Sequence, residues 1–214
     1  MAKIIVFAKA PLAGKVKTRL APLLNDEDAA LLHRRMVVHT LCTACAAAPG
    51  KVEMHCSRST DHPFFAECAA RHDITLAPQC EGDIGTRMAL VLRDASPDNP
   101  LLLIGTDCPA RSADDLCDAI RMLESGCDAV LGPVDDGGYS LIGLTRFEPR
   151  LFAGIDWSTD RVVAQTEARL VDHGFHWRSL PRLWDVDRPA DLLRVQADFP
   201  ALLDGTAIHA CVPD

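Results

Sequence analysis

The hydrophobic pattern along the chain alternates between short apolar runs and longer stretches with helical spacing. The apolar runs predict strands at residues 3–8, 51–56, 74–77, 101–104, 128–134, 140–144 and 175–180. Leu101-Leu102-Leu103-Ile104 is a continuous apolar run, which is typical of a central parallel strand covered on both faces. Strands therefore alternate with helices along most of the chain.

Start and stop signals predict the helices between these strands. The first predicted helix runs from an Asn25 cap to 49–50, the second covers 64–71 after Asp61 and Pro63, and the third follows the turn at 82–85. A fourth helix begins at a Ser112 cap, and a fifth runs from a cap at 158–160 to about 173. The last long helix begins at Pro189. Such alternation predicts an α/β protein with helices on both faces of a mostly parallel sheet. We expect one domain over 1–214.

Composition and charge narrow the class of ligand. The chain has 214 residues, of which 48% are hydrophobic and 24% charged, as in globular proteins. No apolar run reaches the ~18–20 residues that span a bilayer, and the first ends at Lys9. We therefore expect a cytoplasmic protein. A net charge of −8 argues against nucleic acid, so a bound phosphate would belong to a small molecule.

Cysteine and histidine spacing gives no metal motif. The nine cysteines, up to Cys211, include one close pair, Cys42 and Cys45, inside a predicted helix. We interpret them as small buried apolar residues of a reducing compartment. The eight histidines, up to His209, form no HxH or HxxxH group, and we expect them at the surface or at helix ends.

Four cations follow the first strand within eleven residues. Lys9, Lys15, Lys17 and Arg19 surround Gly14 in a loop of small residues. Lysine and arginine side chains with closely approaching backbone N–H groups suit a polyphosphate. The loop is not a Walker A motif, because a lysine stands at position 9 instead of the first glycine and valine follows 14–15. The alternative is a solvated loop whose cations balance acidic neighbours.

Carboxylates follow other strands of the predicted sheet. Asp107 ends the most hydrophobic strand, and Asp185 and Asp187 lie two apart after the last one. Ligands of parallel sheets bind beyond the carboxyl ends of the strands, and Mg²⁺ prefers one or two carboxylates together with phosphate oxygens. The alternatives are Asp107 as a turn or helix cap before Pro109, and Asp187 as a helix cap.

An acidic, glycine-rich segment, Asp135-Asp136-Gly137-Gly138-Tyr139, joins two of the predicted strands. Its glycines allow close approach to a ligand, and a carboxylate there is able to accept a proton from an attacking hydroxyl. Asp-Gly is also a strong signal for a simple hairpin turn. Both interpretations stay open.

Five segments together resemble a known family: FAKAPLAGKVKTRLAP at 7–22, GDIGTRM at 82–88, IGTDCP at 104–109, DDGGYSLIGL at 135–144 and DVDRPADL at 185–192. The family is that of bacterial GT-A-like proteins proposed to be nucleotide-diphosphosugar transferases. Its wider superfamily includes molybdopterin-type and sugar-nucleotide nucleotidyltransferases and the phospholactate guanylyltransferases. The resemblance implies a three-layer αβα sandwich of the GT-A type.

The resemblance also implies site residues. The nucleotide would be bound by Ala8, Lys9, Gly14, Lys15, Lys17, Arg19, Gly85 and Thr106, and the acceptor by Asp136, Gly137, Gly138 and Tyr139. Asp107 and Asp187 would hold Mg²⁺ or Mn²⁺, while Lys17, Arg19 and Asp136 would be catalytic. Many glycosyltransferases of this fold carry a DxD motif, whereas residues 105–108 contain a single aspartate.

Three functions follow, with the first favoured by the resemblance. The first is a metal-dependent glycosyltransferase that takes a nucleotide-diphosphate sugar as donor and a small molecule as acceptor. The second is a nucleotidyltransferase that uses a nucleoside triphosphate and releases pyrophosphate. The third is a nucleotide-binding protein without catalysis. The apolar tail after Phe199 allows packing on the core or on a second subunit, so a homo-oligomer stays open.

Overall fold

A seven-stranded sheet forms the middle layer of the protein, in a computed structural model that describes residues 2–207. The strands are β1 Lys3–Ala8, β2 Val52–Cys56, β3 Thr75–Pro78, β4 Leu101–Ile104, β5 Ala129–Pro133, β6 Tyr139–Leu144 and β7 Trp177–Ser179. Their order is β3-β2-β1-β4-β6-β5-β7. Only β6 runs antiparallel to its neighbours. The prediction of a mostly parallel sheet is confirmed.

Helices cover both faces of this sheet. They are α1 Asp26–Ala47, α2 Pro63–His72, α3 Ile84–Leu92, α4 Ala113–Glu124, α5 Val162–Asp172 and α6 Asp191–Asp198. Apolar side chains of α1, α2 and α4 share one buried cluster with the sheet, and those of α3 and α5 share another on the opposite face. All four residues of β4 are buried because both faces are covered. The predicted αβα sandwich is confirmed. Within residues 2–207, none of the helices combines the length and apolar character needed to span a membrane.

The predicted caps are partly correct. Asn25 and Ser112 accept hydrogen bonds from the backbone N–H groups of Asp28 and Asp115 at the starts of α1 and α4. The predicted cap at 158–160 is wrong, because α5 begins at Val162 without a side-chain cap. The hydroxyl of Thr159 instead donates to the carbonyl of Asp156, within a loop of its own.

The last helix is shorter than predicted. It begins at Asp191, not Pro189, and has eight residues. The carboxylate of Asp191 accepts hydrogen bonds from the backbone N–H groups of Asp187 and Arg188, and these bonds fix the turn before the helix. At α2 the cap is the imidazole of His62, which accepts the N–H of Phe64, while Asp61 pairs with Ser59.

The histidine prediction is wrong for His33, whose side chain is 3% exposed and lies inside α1. His33 lies among the apolar positions that repeat with the helical period along α1. That period alone does not show whether a histidine is buried or at the surface. The eight cysteines within the described residues are all free, and four of them are buried. Cys211 and His209 lie outside the described residues.

Candidate active site

Every loop with candidate chemistry lies at one edge of the sheet. The parallel strands end there, and antiparallel β6 begins there, so the β5–β6 hairpin joins the same edge. A cavity of about 570 Å³ opens at this edge. It is bounded by the loop after β1, the ends of β3 and β4, the hairpin, the loop before α5 and the segment after β7. The predicted common edge is therefore present.

Most residues that the sequence selected line this cavity. They are Ala8, Lys9, Lys15, Lys17, Arg19, Thr106, Asp107, Asp136, Gly138, Tyr139 and Asp187. The glycines Gly14, Gly85 and Gly137 are not among the lining residues. A Cβ atom at Gly14 would lie 3.1 Å from the Asp26 carboxylate, at a φ of +69° that favours glycine. Gly14 thus shapes the basic loop against the start of α1.

The basic loop is anchored on both sides of its cations. Val16 and Leu20 are buried, so Lys17 between them points into the cavity. Lys17 has a left-handed backbone with φ of 50°, a conformation that is uncommon outside glycine and is concentrated at functional sites. Its side chain is only 6% exposed. Lys17 is therefore not a solvated cation, although its charge and that of Arg19 are balanced by acidic neighbours, as the alternative expects. Polyphosphate binding by the loop stays a prediction.

Lys17 links two further segments of the chain. Its ammonium donates to Oδ1 of Asp107 and to the carbonyl oxygen of Val186, both at 2.5 Å. The backbone N–H of Val186 in turn donates to the carbonyl of Asp107 at 2.8 Å. The end of β4 and the segment after β7 are therefore held against the basic loop at one point.

The carboxylate of Asp107 lies between the walls of the cavity, and 60% of its side chain is exposed. Desolvation by those walls favours its neutral form, but the charge and hydrogen bond of Lys17 outweigh this and lower the pKa of Asp107. Asp107 is therefore an anion at neutral pH. Ser112 and Asp115 cap α4, so the alternative of Asp107 as the helix cap is wrong.

Arg19 and Asp187 form a second pair, at the mouth of the cavity. The guanidinium donates to Oδ2 of Asp187 at 2.6 Å, and both side chains are partly exposed. Asp191 performs the backbone capping in this turn, so the alternative of Asp187 as a cap is wrong. The Asp187 side chain is instead directed to the cavity and the basic loop.

Two carboxylates of the cavity form no ion pair within residues 2–207. Asp136 accepts the N–H of Gly138 through Oδ1 at 2.7 Å, in a hairpin turn that also lines the cavity. The predicted hairpin turn is therefore present, and the role of the carboxylate towards an acceptor stays a prediction. Asp185, which the sequence analysis named beside Asp187 without assigning it a role, has a pKa raised to about 6 by burial and by the charges of Asp136, Asp107 and Asp187.

This carboxylate set fits a divalent cation. Burial is the main cause of the raised pKa of Asp185, and the negative charges of Asp136, Asp107 and Asp187 raise it further because these carboxylates lie close together. Mg²⁺ needs only one or two carboxylates when phosphate oxygens and water complete its shell. Within residues 2–207 no three His, Cys, Asp or Glu side chains are arranged as a metal-binding group. A metal would therefore be bound jointly by protein and phosphate.

A polar pair that the sequence analysis missed lies at the β3 end of the cavity. The buried amide of Gln79 donates to the carbonyl of His55 at 2.7 Å and accepts from Arg87 at 2.8 Å. Arg87 stands on α3 and lines the cavity. The direction of the Gln79 side chain is fixed by His55, so Gln79 orients the guanidinium of Arg87. Arg87 belongs to the GDIGTRM segment, but nothing in that segment indicates its pairing with Gln79.

His33 lies at the base of the basic loop. Its Nε2 is 3.1 Å from the carbonyl oxygen of Lys9, which only accepts, so Nε2 carries the proton. Burial lowers the pKa of His33. The charges of Lys17 and Lys9 lower this pKa further, whereas the carboxylate of Asp107 raises it. The neutral imidazole therefore supports the loop without adding charge.

The fold and the cavity together define a class of protein. An αβα sandwich with a mostly parallel sheet, and a cavity of cations and carboxylates at the carboxyl ends of its strands, is an architecture of the nucleotide-diphospho-sugar transferase type. The family model described as "uncharacterized protein conserved in bacteria (DUF2064)" matches residues 40–159, and the chain belongs to this family. No curated protein matches the sequence.

Solved structures support the same fold. A proposed nucleotide-diphospho-sugar transferase from Desulfovibrio desulfuricans has a TM-score of 0.79 at 29% identity, covering 94% of this chain and 93% of its own. A nucleotidyl transferase from Methanothermobacter thermautotrophicus has a TM-score of 0.58 at 13% identity, covering 94% and 98%. A CMP:2-keto-3-deoxy-manno-octonic acid synthetase complexed with CTP has a TM-score of 0.56 at 11% identity, covering 92% and 97%. At their identities the last two show the fold alone.

Proposed function

We propose that the protein is a metal-dependent transferase that takes a nucleotide-diphosphate sugar as donor and transfers the sugar to a small acceptor. The observation that carries the proposal is the contact of Lys17 with Asp107 and Val186 in one cavity. This contact places a cation suited to phosphate next to a carboxylate suited to Mg²⁺ and next to the segment that contains Asp185 and Asp187. The similarity to the Desulfovibrio protein supports the choice of donor.

The protein's own residues would stabilise the leaving group. Lys9, Lys15 and Arg19 line the wall above Lys17 and provide positive charge for a diphosphate. The Arg19 side chain is exposed. It would exchange its ion pair with Asp187 for one with a phosphate oxygen at little cost in free energy, because exposed ion pairs contribute little to stability. A Mg²⁺ ion held by Asp107 and Asp187 would neutralise the charge that develops on the departing diphosphate.

Asp136 would act on the acceptor. The N–H of Gly138 fixes Oδ1 of its carboxylate, and within residues 2–207 Oδ2 has no hydrogen-bond partner. A carboxylate held in this way is positioned to accept a proton from an attacking hydroxyl. Tyr139 follows three residues later, and its hydroxyl contacts the sulfur of Met88 on α3. The acceptor would thus lie between the hairpin and α3.

A nucleotidyltransferase is the second candidate function. The four cations of the basic loop, three of them lysines, exceed the charge that a diphosphate requires and match a triphosphate more closely. In that reaction pyrophosphate, and not a nucleoside diphosphate, would leave. The same lysines and carboxylates would serve both reactions, so the released product distinguishes them.

A release assay tests the proposal. Purified protein is incubated with Mg²⁺ and a panel of nucleoside diphosphosugars or nucleoside triphosphates, together with a mixture of small hydroxyl compounds. Release of nucleoside diphosphate supports the glycosyltransferase, and release of pyrophosphate supports the nucleotidyltransferase. Tight nucleotide binding without release of either product would contradict both and leave a non-catalytic binding protein.

A further inference from the structure

The loop before α5 approaches its neighbours closely at two glycines. A Cβ atom at Gly85, in the first turn of α3, would lie 2.4 Å from the indole nitrogen of Trp157. A Cβ atom at Gly137, in the hairpin, would lie 2.2 Å from the carbonyl oxygen of Asp160. Real Cβ atoms do not approach other atoms so closely, so any side chain at either glycine would displace the loop. Both glycines thus serve the placement of residues 157–160.

Hydrogen bonds fix the same loop from its other side. Gln165 of α5 accepts the N–H of Asp156 at 2.8 Å and donates to its carboxylate at 2.7 Å. Arg161 forms an ion pair with the same carboxylate at 3.1 Å. The N–H of Val163 donates to the carbonyl of Gly137 at 2.9 Å, which ties the hairpin to the start of α5. The loop is therefore preformed, which lowers the entropic cost of binding.

Three consecutive residues of this loop, Trp157, Ser158 and Thr159, line the cavity. Trp157 is half-buried, and its indole N–H has no hydrogen-bond acceptor within residues 2–207. Ser158 has a φ of +65°, a left-handed conformation that costs energy for a serine and recurs at ligand sites. The loop thus adds an aromatic ring and two hydroxyl groups to the cavity.

The charges nearby select the chemistry of the ligand. Most cations of the cavity lie on the basic loop, and Arg87 of α3 is held by Gln79, whereas Asp136 adjoins the Trp157 loop through Gly137. Asp136 and Asp185 form no ion pair within residues 2–207, so their carboxylates disfavour an anionic group here. An aromatic face beside hydroxyl and carboxylate groups suits a ring with an apolar face and a polar rim.

We propose that Trp157 and Ser158 form the subsite for the second substrate, an uncharged polyhydroxylated ring compound, and that Gly85 and Gly137 are positioning residues for this subsite. The inference rests on the proposed transferase function, because it names the class of acceptor. It gives the glycines of GDIGTRM and DDGGYS a role that differs from direct contact with nucleotide or acceptor. One ring hydroxyl would then face Asp136.

Fluorescence of Trp157 tests the subsite without catalysis. The variant Trp177→Phe/Trp184→Phe keeps Trp157 as its single tryptophan. It is titrated with methyl glycosides of glucose, galactose and mannose, and then with the matching sugar phosphates and uronic acids, in the presence and absence of Mg²⁺ and nucleoside diphosphates. We expect a saturable emission change with at least one glycoside and a weaker response to every anion. The Trp157→Phe protein, with Trp177 and Trp184 retained, is the control and should show no glycoside response.

Gly85→Ala tests the positioning role. The added methyl group should displace Trp157 and weaken the glycoside response about tenfold or more, while nucleotide affinity stays within about twofold of the unmutated value. Trp157→Ala, which adds no atoms, should also lose glycoside binding, now measured by calorimetry. This second variant keeps the test informative if Gly85→Ala fails to fold.

Each opposite result overturns a specific statement. Equal responses to neutral and anionic sugars, or no response to any glycoside, would contradict the subsite. If Gly85→Ala lost nucleotide affinity and kept its glycoside response, Gly85 would be a nucleotide-binding residue and not a positioning residue of the subsite. A protein that binds glycosides on Trp157 and no nucleotide would contradict the proposed function while supporting the subsite.

Discussion

Lys17 and Asp107 lie ninety positions apart in the chain, and a hydrogen bond of 2.5 Å joins the ammonium of one to the carboxylate of the other. The lysine is almost fully buried, while the carboxylate faces the cavity. This asymmetry makes the lysine a fixed charge and the carboxylate a group available to a ligand. The pair therefore links the phosphate-binding and metal-binding parts of the proposed site.

Replacing Lys17 by methionine removes the charge and keeps most of the side-chain volume. We expect Lys17→Met and Asp107→Asn each to lower the rate of product release by ~10²–10³, the usual effect of losing a charge-stabilising group. Because the two residues are in contact, the double variant should be only slightly slower than either single variant. Product release at saturating donor measures the effect.

The control for these variants is Lys51→Met, at an exposed lysine before β2 and outside the cavity. It should release product at the unmutated rate. Circular dichroism and thermal melting establish that each variant is folded. Unmutated rates in folded Lys17→Met and Asp107→Asn proteins would remove both residues from the mechanism.

Arg19 should matter for ligand binding and not for stability. Its pair with Asp187 is exposed, and exposed ion pairs contribute little to folding. We expect Arg19→Met to melt within about 2 °C of the unmutated protein and to bind nucleotide about tenfold more weakly. Arg194→Met is a matched control, because Arg194 forms a similarly exposed pair with Asp135 at 2.9 Å outside the cavity. Equal loss of nucleotide affinity in both variants would contradict a specific role for Arg19.

Asp185 should destabilise the metal-free protein at neutral pH. Its pKa is raised from 3.8 to about 6, first by burial and then by Asp136. The native state therefore binds more protons than the unfolded state between these values, and stability falls as pH rises through them. At pH 7.5, Asp185→Asn should raise the free energy of unfolding by about 1–2 kcal/mol, and the gain should shrink towards pH 4.

Urea denaturation of the metal-free protein at the two pH values measures this difference. Asp135→Asn is the control, because Asp135 is exposed and paired with Arg194. Asp185→Asn should also weaken nucleotide binding in the presence of Mg²⁺. A lower stability of Asp185→Asn at pH 7.5 would show that the carboxylate is not repelled by its neighbours.

His33 should make stability depend on pH in a second window. Burial lowers its pKa below the ordinary value of 6.5, so the unfolded state binds more protons as pH falls through that value. Stability should therefore decrease from pH 8 to pH 5.5, with a slope of at most ~1.4 kcal/mol per pH unit for one proton. His33→Gln keeps a donor for the carbonyl of Lys9 and does not titrate, so its slope should be smaller. An equal slope in both proteins would contradict the contribution of His33.

The sequence predicted the sheet and the cavity edge well, for identifiable physical reasons. The run at 101–104 is apolar because β4 is covered on both faces, and Asp107 follows it at the carboxyl end. The cations after β1 stand out because they directly follow a buried strand. Both signals, an apolar run and the charged residues that follow it, lie within a few consecutive residues. They can therefore be recognised in a single sequence.

What the sequence did not reveal depends on contacts between distant segments. The orientation of Arg87 by Gln79 has no motif, and the unpaired charge of Asp185 is apparent only once Lys17 and Arg19 have taken the neighbouring carboxylates. Residues 158–160 of the Trp157 loop predict a helix cap that the structure does not have, because serine, threonine and aspartate favour turns as well as caps. Tertiary packing against two glycines decided its conformation.

Calorimetric titration of a nucleoside diphosphate into the protein, with and without Mg²⁺, tests the central claim most directly. The convergence of Lys17, Arg19, Asp107 and Asp187 on one cavity predicts binding that Mg²⁺ strengthens and that Lys17→Met and Asp107→Asn each weaken strongly. Binding that is indifferent to Mg²⁺ and unchanged in both variants would contradict a metal–phosphate site at this edge of the sheet.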